Sequence, residues 1–228
     1  MRNVIAIDGP AGSGKSTVSR LLAEKLNWMC LDTGAMYRAV ALAAKRRRVD
    51  LHNSEELGKL CKSLDIRFRT DEHHPPRLFL DKEDVSLAIR RPEMDMLASR
   101  VSTVSEVREA MACIQRRMAK DTKLVAEGRD MGSVVFPKAR YKFFLTASDE
   151  VRADRRYRER LKRGESVSKP RVAAEMRERD HQDETRSIAP LRPATNARII
   201  DSSTLIPEEV VDIMLGDIME KKSNAPVL

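Results

Sequence analysis

Eight residues near the start of this 228-residue sequence, GPAGSGKS at positions 9–16, have the types and spacing of a phosphate-binding loop. Glycines at such positions let the backbone curl so that its N–H groups surround a phosphate. Lys15 can then reach the terminal phosphates of a nucleotide, and the hydroxyl of Ser16 can bind Mg²⁺. The pattern predicts that ATP contacts the loop and the residue after it: Gly9, Pro10, Ala11, Gly12, Ser13, Gly14, Lys15, Ser16 and Thr17.

Two elements must flank this loop for it to bind a nucleotide. Residues 4–7 are short, apolar and mostly β-branched, which predicts a buried parallel strand. Apolar residues recur at helical spacing over 15–26, so a helix is predicted to begin at the loop and to add its dipole to the anion site. A glycine-rich turn without a ligand is the alternative. The loop alone does not choose between kinases, GTPases and motor or transport ATPases.

The segment LDTGAMYR at 31–38 carries groups suited to a second phosphate. It places Asp32 at the end of a predicted strand, and Tyr37 and Arg38 in the helix that follows. Because the carboxyl ends of parallel strands meet at one edge of a sheet, Asp32 is expected near the transferred phosphoryl group. Tyr37 and Arg38 are expected near an acceptor phosphate. An N-terminal aspartate with a solvated arginine is the alternative.

The segment LVAEGRDMG at 124–132 is a predicted buried strand that ends in charged residues. Glu127 is a candidate for orienting the water ligands of Mg²⁺, since an acidic residue at a strand end often has that role in phosphate-loop proteins. Arg129 could hold a phosphate, and Asp130 could bind a base or a sugar. A plain turn at the end of the strand is the alternative.

The segment RDHQDETR at 179–186 has a charge pattern with helical spacing. Arg179, Asp183 and Arg186 fall at i, i+4 and i+7, which predicts one face of a single helix. The alternative is a surface ladder of ion pairs worth a few tenths of a kcal/mol.

A very basic helix is predicted at 148–163. Asp149 and Glu159 neutralise its stripe of arginines only partly, and stacked like charges are mildly destabilising unless an anion comes and goes. A flexible break after Gly164 would let this helix close over a triphosphate as a lid. A solvated basic face is the alternative.

The composition limits the classes of function. The formal net charge is +8, which suits polyanionic partners, but aromatic residues make up only 4% of the chain, which argues against a surface for stacking bases. No apolar run approaches the roughly 18 residues of a membrane span. The three cysteines lie far apart, so neither a zinc site nor a disulfide framework is indicated. These features lead us to expect a cytoplasmic protein.

Strand and helix patterns alternate along the chain, which predicts an α/β fold with a mainly parallel three-layer sheet. A stretch at 65–89 alternates apolar and charged residues around HHPP, and it predicts a small antiparallel sheet inserted into that fold. Further strands are predicted at 29–31, 124–126, 141–145 and 198–200, and further helices at 35–47, 92–120, 170–184 and 207–221.

Together these segments resemble the bacterial cytidylate (CMP/dCMP) kinases of the nucleoside monophosphate kinase family. GPAGSGKS, LDTGAMYR, the sheet at about 65–91, EGRDMGSVVFP and RDHQDETRSIAPL occur in the family's order and approximate spacing, over nearly the whole chain. Two residues depart from the pattern. Thr33 stands where serine is also found and keeps the hydroxyl, whereas Glu127 stands where aspartate is common, which puts its metal role in doubt.

The resemblance implies a P-loop NTP hydrolase-like fold in a single kinase domain. Its core would comprise about 1–34, 92–150 and 187–228, with a monophosphate-binding region at about 35–91 and a mobile helical lid at about 151–186. It also implies ATP as phosphoryl donor with Mg²⁺ as cofactor, CMP and dCMP as acceptors, no nucleic-acid or membrane partner, and a monomer.

The resemblance also implies a role for each site residue. The CMP phosphate would be bound by Tyr37, Arg38, Arg129 and Arg186. The cytosine would be read by Ser99, Arg108 and Asp130, the ribose by Arg179 with Asp183, and ATP by Arg155 and Arg156. Thr33 would belong to the substrate site. The catalytic set would be Lys15, Arg38, Arg129, Arg156 and Arg186, and the metal set Ser16, Asp32 and Glu127.

The implied acceptor is a phosphate oxygen that is already anionic near neutral pH, so no general base is required, and none of the four histidines is a candidate site residue. Three other classes of function stay open. They are another small-molecule P-loop kinase, an ATP-dependent nucleic-acid-binding protein, which would show steep salt dependence, and a nucleotide switch without catalysis.

Overall fold

The chain forms two compact units. This computed structural model describes residue 1, residues 3–71 and residues 74–223. One unit comprises Met1–Trp28 with Lys123–Leu228, and the other comprises Met29–Thr122. The predicted division into core, monophosphate-binding region and lid stays a prediction. The last five residues of the predicted core, 224–228, lie outside the described part of the chain.

The secondary structure alternates between strands and helices, as the sequence pattern predicts. Numbered along the chain, the strands are β1 (Val4–Asp8), β2 (Met29–Asp32), β3 (Ile66–Asp71), β4 (His74–Leu80), β5 (Glu83–Asp84), β6 (Leu124–Gly128), β7 (Tyr141–Thr146) and β8 (Arg198–Asp201). The helices are α1 (Lys15–Leu26), α2 (Thr33–Arg46), α3 (Ser54–Ser63), α4 (Pro92–Val101), α5 (Ser105–Met118), α6 (Asp149–Lys162), α7 (Lys169–Thr185) and α8 (Pro207–Ser223).

The first unit contains parallel strands in the order β6-β1-β7-β8. Ile5 of β1 pairs with Val125 on one side and with Tyr141 on the other, and Phe143 pairs with Arg198. Every residue of β1 and β6 is buried, as expected for strands that are covered on both faces. The predicted α/β class with a parallel sheet and a separate small antiparallel sheet is confirmed. The carboxyl ends of these four strands lie at one edge, beside the segment at 9–14.

The second unit contains the small antiparallel sheet, in the order β3-β4-β5. Its third strand is shorter than the predicted one, because the chain after β5 leaves the strand conformation. Val85 and Ile89 are both buried, and the Ile89 N–H donates to the Val85 carbonyl at 3.0 Å. Apolar residues four apart therefore form a helical turn, Ala88–Arg90, where the alternating pattern predicts a strand.

Helix α3 was not predicted, although the sequence carries its signals. Asn53 caps the helix by accepting a hydrogen bond from the Glu56 N–H at 3.1 Å. Acidic residues occupy the first turn, and Leu57, Leu60 and Cys61 form a buried stripe. The predicted helix at 92–120 is divided into α4 and α5, which are separated by residues 102–104.

The expectation that the arginines of α6 leave like charges stacked was wrong. Arg152 pairs with Asp149 and Asp180, and Arg160 pairs with Glu165 and Glu175. Three of these four carboxylates lie outside α6, where the periodicity of one helix gives no information.

Among the described residues, no helix is long and apolar enough to cross a membrane.

Candidate active site

The segment at 9–16 forms a tight turn between β1 and α1. A Cβ atom at Gly9 would lie 2.0 Å from the backbone oxygen of Leu145, so the close passage of β7 requires glycine there. Gly12 has φ +73°, in the left-handed region that favours glycine. Helix α1 begins at Lys15, so its free N–H groups and positive dipole end face the loop.

Lys15 is buried, and its ammonium group experiences the charges of two arginines and two carboxylates. Its Nζ donates to the Pro10 carbonyl at 2.6 Å and lies 3.4 Å from the Ser13 hydroxyl. Burial, followed by the charges of Arg129 and Arg179, lowers the pKa of Lys15 to about 7, against the opposing effect of the Glu127 and Asp8 carboxylates. The unit thus gathers positive charge at the loop at an electrostatic cost.

Ser16 and Glu127 form an oxygen-rich pair beside this cluster. The Ser16 hydroxyl donates to Glu127 Oε2 at 2.9 Å, and Glu127 is buried in β6. A hydroxyl and a carboxylate are hard oxygen donors of the kind that Mg²⁺ prefers, and Mg²⁺ usually takes its remaining ligands from waters and substrate phosphates. Within the described residues, no group of three or more His, Cys, Asp and Glu is suited to hold a metal on its own.

Asp8, which the sequence reasoning did not single out, organises the turn after β6. Its two carboxylate oxygens accept the N–H groups of Met131 and Gly132, both at 2.7 Å. Burial raises the pKa of Asp8 to about 6, although these two hydrogen bonds oppose the rise. The residues Met131–Val135 form a π-helical turn directly after Arg129 and Asp130. The only signal in the sequence was an aspartate at the end of an apolar strand.

The residues of RDHQDETR meet the turn after β6 through buried ion pairs. Asp183 accepts from Arg129 Nε at 2.8 Å and lies 3.5 Å from Arg186 Nη1. Burial raises the pKa of Asp183, but the charges of Arg129 and Arg179 outweigh it, so the pKa lies below its usual value. Arg186 follows the end of α7 and donates through Nε to the Ala189 carbonyl at 2.7 Å. The spacing predicts Arg179, Asp183 and Arg186 on one helix. Arg179 and Asp183 lie on α7, but Arg186 is the residue that caps its C-terminus.

The two predicted lid arginines have different surroundings. Arg155 donates to the Ser202 hydroxyl at 3.0 Å and to the Ser202 carbonyl at 2.7 Å. Its guanidinium group lies 3.8 Å from where a Cβ of Gly14 would stand, so Arg155 is beside the loop. Arg156 pairs with Glu159 of its own helix at 2.7 Å. Ser202, which the sequence reasoning missed, is buried and also contacts the Ser13 carbonyl at 3.1 Å.

Within the second unit, the predicted acceptor residues form two neighbouring groups. Arg38 pairs with Asp32 at 3.1 Å and lies 3.8 Å from Asp95, an aspartate that sequence reasoning did not identify. The Arg108 guanidinium group stacks over the Tyr37 ring at 5.7 Å from its centroid. Asp32 also caps α2 through the Ala35 N–H. Thr33 is buried at the start of α2, and Ser99 lies on α4.

A parallel sheet, a glycine-rich turn that leads into α1, and a buried lysine at the start of that helix define the P-loop class of nucleotide-binding proteins. The sequence model of the cytidylate kinase family matches residues 5–220, and the chain belongs to this family.

The curated relatives cover almost the whole chain. The chain is 46% identical to the cytidylate kinase of Shewanella sp. (strain MR-4), over 97% of this chain and 96% of that protein. It is 47% identical to the cytidylate kinase of Shewanella sediminis, over 96% and 95% respectively. The fold is similar to that of an uncharacterized protein from Eubacterium ventriosum, with a TM-score of 0.53 at 12% identity over 95% and 98% of the two chains.

Proposed function

We propose that the protein transfers the terminal phosphoryl group of ATP to CMP and dCMP, giving ADP with CDP or dCDP. The observation that carries this proposal is the convergence of Lys15, Arg129 and Arg179, whose mutual repulsion contributes to lowering the pKa of Lys15 to about 7. Like charges gathered in a buried place favour a polyanion, and the reaction brings two polyanions together. Membership in the cytidylate kinase family supports the choice of acceptor.

The reaction needs positioning and charge stabilisation more than proton transfer. The acceptor oxygen of CMP is anionic near neutral pH, so no side chain has to remove a proton before attack. Lys15 and the arginines would stabilise the charge that spreads over the moving phosphoryl group. Closure of the proposed lid, 151–186, would exclude water and so suppress hydrolysis of ATP.

Ser16 and Glu127 fit a role in holding Mg²⁺, because their oxygens are hard donors 2.9 Å apart at the start of α1. Asp32 completes the proposed metal set. Mg²⁺ held by these residues would supply positive charge that offsets part of the phosphate charge.

The proposed acceptor site assigns each group a part of CMP. The phosphate of CMP would contact Tyr37, Arg38, Arg129 and Arg186. The ribose would contact Arg179 and Asp183, and the base would contact Ser99, Arg108 and Asp130. Thr33 would belong to the same substrate site. ATP would contact the loop together with Arg155 and Arg156. Cytosine offers an exocyclic amine that uracil lacks, and a buried acceptor left unpaired disfavours the wrong base. Asp130, which is 3% exposed, fits that acceptor.

We further propose that the protein acts as a cytoplasmic monomer on these small nucleotides and binds neither nucleic acid nor membrane. The basic charge of the chain suits phosphate-rich small molecules.

The proposal is tested by incubating the protein with ATP, Mg²⁺ and one of CMP, dCMP, UMP, AMP or GMP while ADP release is followed. Rapid ADP release with CMP and dCMP is the expected result. Turnover with a different monophosphate would overturn the cytosine site but keep the kinase. Turnover with none of the five would refute the proposed reaction.

The cytosine role of Asp130 is tested by Asp130→Ala. The ratio of kcat/KM for CMP to that for UMP should fall by about tenfold or more, because the acceptor for the amine is gone. The ratio divides out any loss of folded protein. An unchanged ratio would exclude Asp130 from base recognition.

A further inference from the structure

Arg152, on α6, contacts several separate parts of the first unit through one guanidinium group. Its Nε donates to the Ala147 carbonyl and its Nη1 to the Ala11 carbonyl, each at 3.1 Å. The carboxylates of Asp149 and Asp180 pair with the same group. The side chain is only 9% exposed, so these contacts are made in surroundings where electrostatic interactions are strong.

The hydrogen bond to Ala11 bears directly on the phosphate loop. A trans peptide points its C=O and its N–H in opposite directions. Because Arg152 holds the Ala11 carbonyl toward α6, the Gly12 N–H points away from α6. Inward-pointing N–H groups are what such a loop uses to bind a phosphate. Gly12 also packs closely here, since a Cβ atom would lie 2.7 Å from the Arg152 backbone oxygen and 3.0 Å from Met176 Cε.

The ion pair with Asp180 extends the connection to α7. Asp180 follows Arg179 directly and precedes Asp183 by one turn, and both neighbours belong to the proposed acceptor site. Arg152 is therefore bonded to the loop proposed for ATP and to the helix proposed for CMP.

Arg160 provides a comparison within the same pair of helices. It pairs with Glu175 of α7 and with Glu165. It lies eight residues further along α6, about 12 Å from Arg152 at the usual rise of a helix. Arg160 thus ties the same two helices together, two turns away from the point where Arg152 bonds to the loop.

We propose that Arg152 is a positioning residue for ATP, because it fixes the Ala11–Gly12 peptide so that the Gly12 N–H faces a phosphate and ties this peptide to α7. The proposal rests on the ATP-dependent function proposed above and adds a residue to its donor site.

The test compares Arg152→Lys with Arg160→Lys in the full chain. Lysine keeps the charge but lacks the planar set of donors that bonds two carbonyls and two carboxylates together. The dissociation constant for ATP, measured by calorimetry without acceptor, should rise about tenfold in Arg152→Lys, the effect of one charge-assisted hydrogen bond. KM for ATP should rise in parallel, and KM for CMP should change by less than about twofold.

Arg160→Lys should bind ATP as the wild type does. Wild-type affinity for ATP in Arg152→Lys would overturn the proposal, as would an equal loss of affinity in both variants, which would indicate general loosening of the helix pair.

A second variant covers the case in which Arg152→Lys does not fold because the lysine leaves the buried Asp180 carboxylate without a partner. Arg152→Met combined with Asp180→Asn removes both members of the pair, which cores tolerate better than the loss of one. Weak ATP binding by this variant at wild-type melting temperature supports the proposal, and wild-type binding overturns it. A wild-type protein that binds ATP but phosphorylates no monophosphate would refute the proposed function alone, since the calorimetry requires no acceptor.

Discussion

Lys15 is a single side chain whose surroundings favour the binding of a polyanion. In the folded protein it is buried beside Arg129 and Arg179, and its pKa of about 7 means that it holds its proton only weakly. The triphosphate of ATP would reverse this situation, because negative charge close to an ammonium group favours the protonated form.

ATP binding should therefore take up a proton above neutral pH. At pH 8 most Lys15 side chains are neutral in the free protein and protonated in the complex, so binding should take up about one proton. The affinity for ATP should fall as the pH rises from 7 to 9. Calorimetry at pH 8 in two buffers of different ionisation enthalpy measures this uptake.

Lys15→Met is the control for this effect, because it retains much of the side-chain volume and cannot titrate. It should show no uptake at pH 8, and its turnover should fall by about 10²-fold or more, the loss typical of removing one group that stabilises transition-state charge. A wild-type protein that binds ATP at pH 8 without proton uptake would contradict the prediction.

At the scale of elements, the conformation of the loop depends on its contact with α6. Gly12→Ala forces an alanine to adopt the left-handed conformation. It also places a Cβ atom 2.7 Å from a backbone oxygen of α6, and a helix backbone cannot easily move away. We expect a loss of stability above the roughly 1 kcal/mol of left-handed strain, together with weak ATP binding. Urea unfolding and calorimetry measure the two effects.

Gly164→Ala is the matched control. Gly164 has φ +76°, close to that of Gly12, but among the described residues other than its two chain neighbours, none has an atom within 4 Å of its Cβ position. It should lose only about 1 kcal/mol of stability, the cost of the left-handed conformation alone. If both variants lost the same stability, strain alone would explain Gly12 and the contact with α6 would be unimportant.

The turn after β6 depends on Asp8 in a comparable way. Asp8→Asn offers one acceptor oxygen where Met131 and Gly132 require two, so one buried N–H loses its partner at a cost of about 1–3 kcal/mol. Because Arg129 and Asp130 precede this turn, KM for CMP should rise more than KM for ATP. Steady-state kinetics and chemical denaturation provide the two measurements.

Asp201→Asn is the control for Asp8→Asn. Asp201 also ends a strand and also accepts two hydrogen bonds, from the N–H and the hydroxyl of Ser203, but it is exposed. This variant should change stability by less than about 0.5 kcal/mol and leave both KM values unchanged. Equal effects of the two substitutions would refute a special role for Asp8.

At the scale of the whole molecule, the net charge of +8 favours the approach of nucleotides. We expect kcat/KM for CMP to fall several-fold as the salt concentration rises from about 50 to 500 mM, because screening weakens long-range attraction. The control is kcat at saturating substrate, which should change much less. A kcat/KM independent of salt would show that the charge does not assist binding.

Elements with local sequence signals were predictable. The strand, loop and helix at 4–26 form from residues adjacent in the chain, and α1 begins and ends where its apolar spacing predicts. Long-range pairing was not predictable. Asp8 meets Met131 across more than a hundred residues, and no periodicity links the two positions.

The sequence by itself determined the α/β class, the phosphate loop and the family, because each depends on residue types in a fixed order along the chain. The tertiary structure alone decided which charges meet. It placed Arg129 against Asp183, Arg152 against Ala11 and Asp180, and Lys15 among arginines that lower its pKa. The reason is physical: electrostatic interactions and burial depend on distance in space, and only the folded structure brings residues that are far apart in the sequence within that distance.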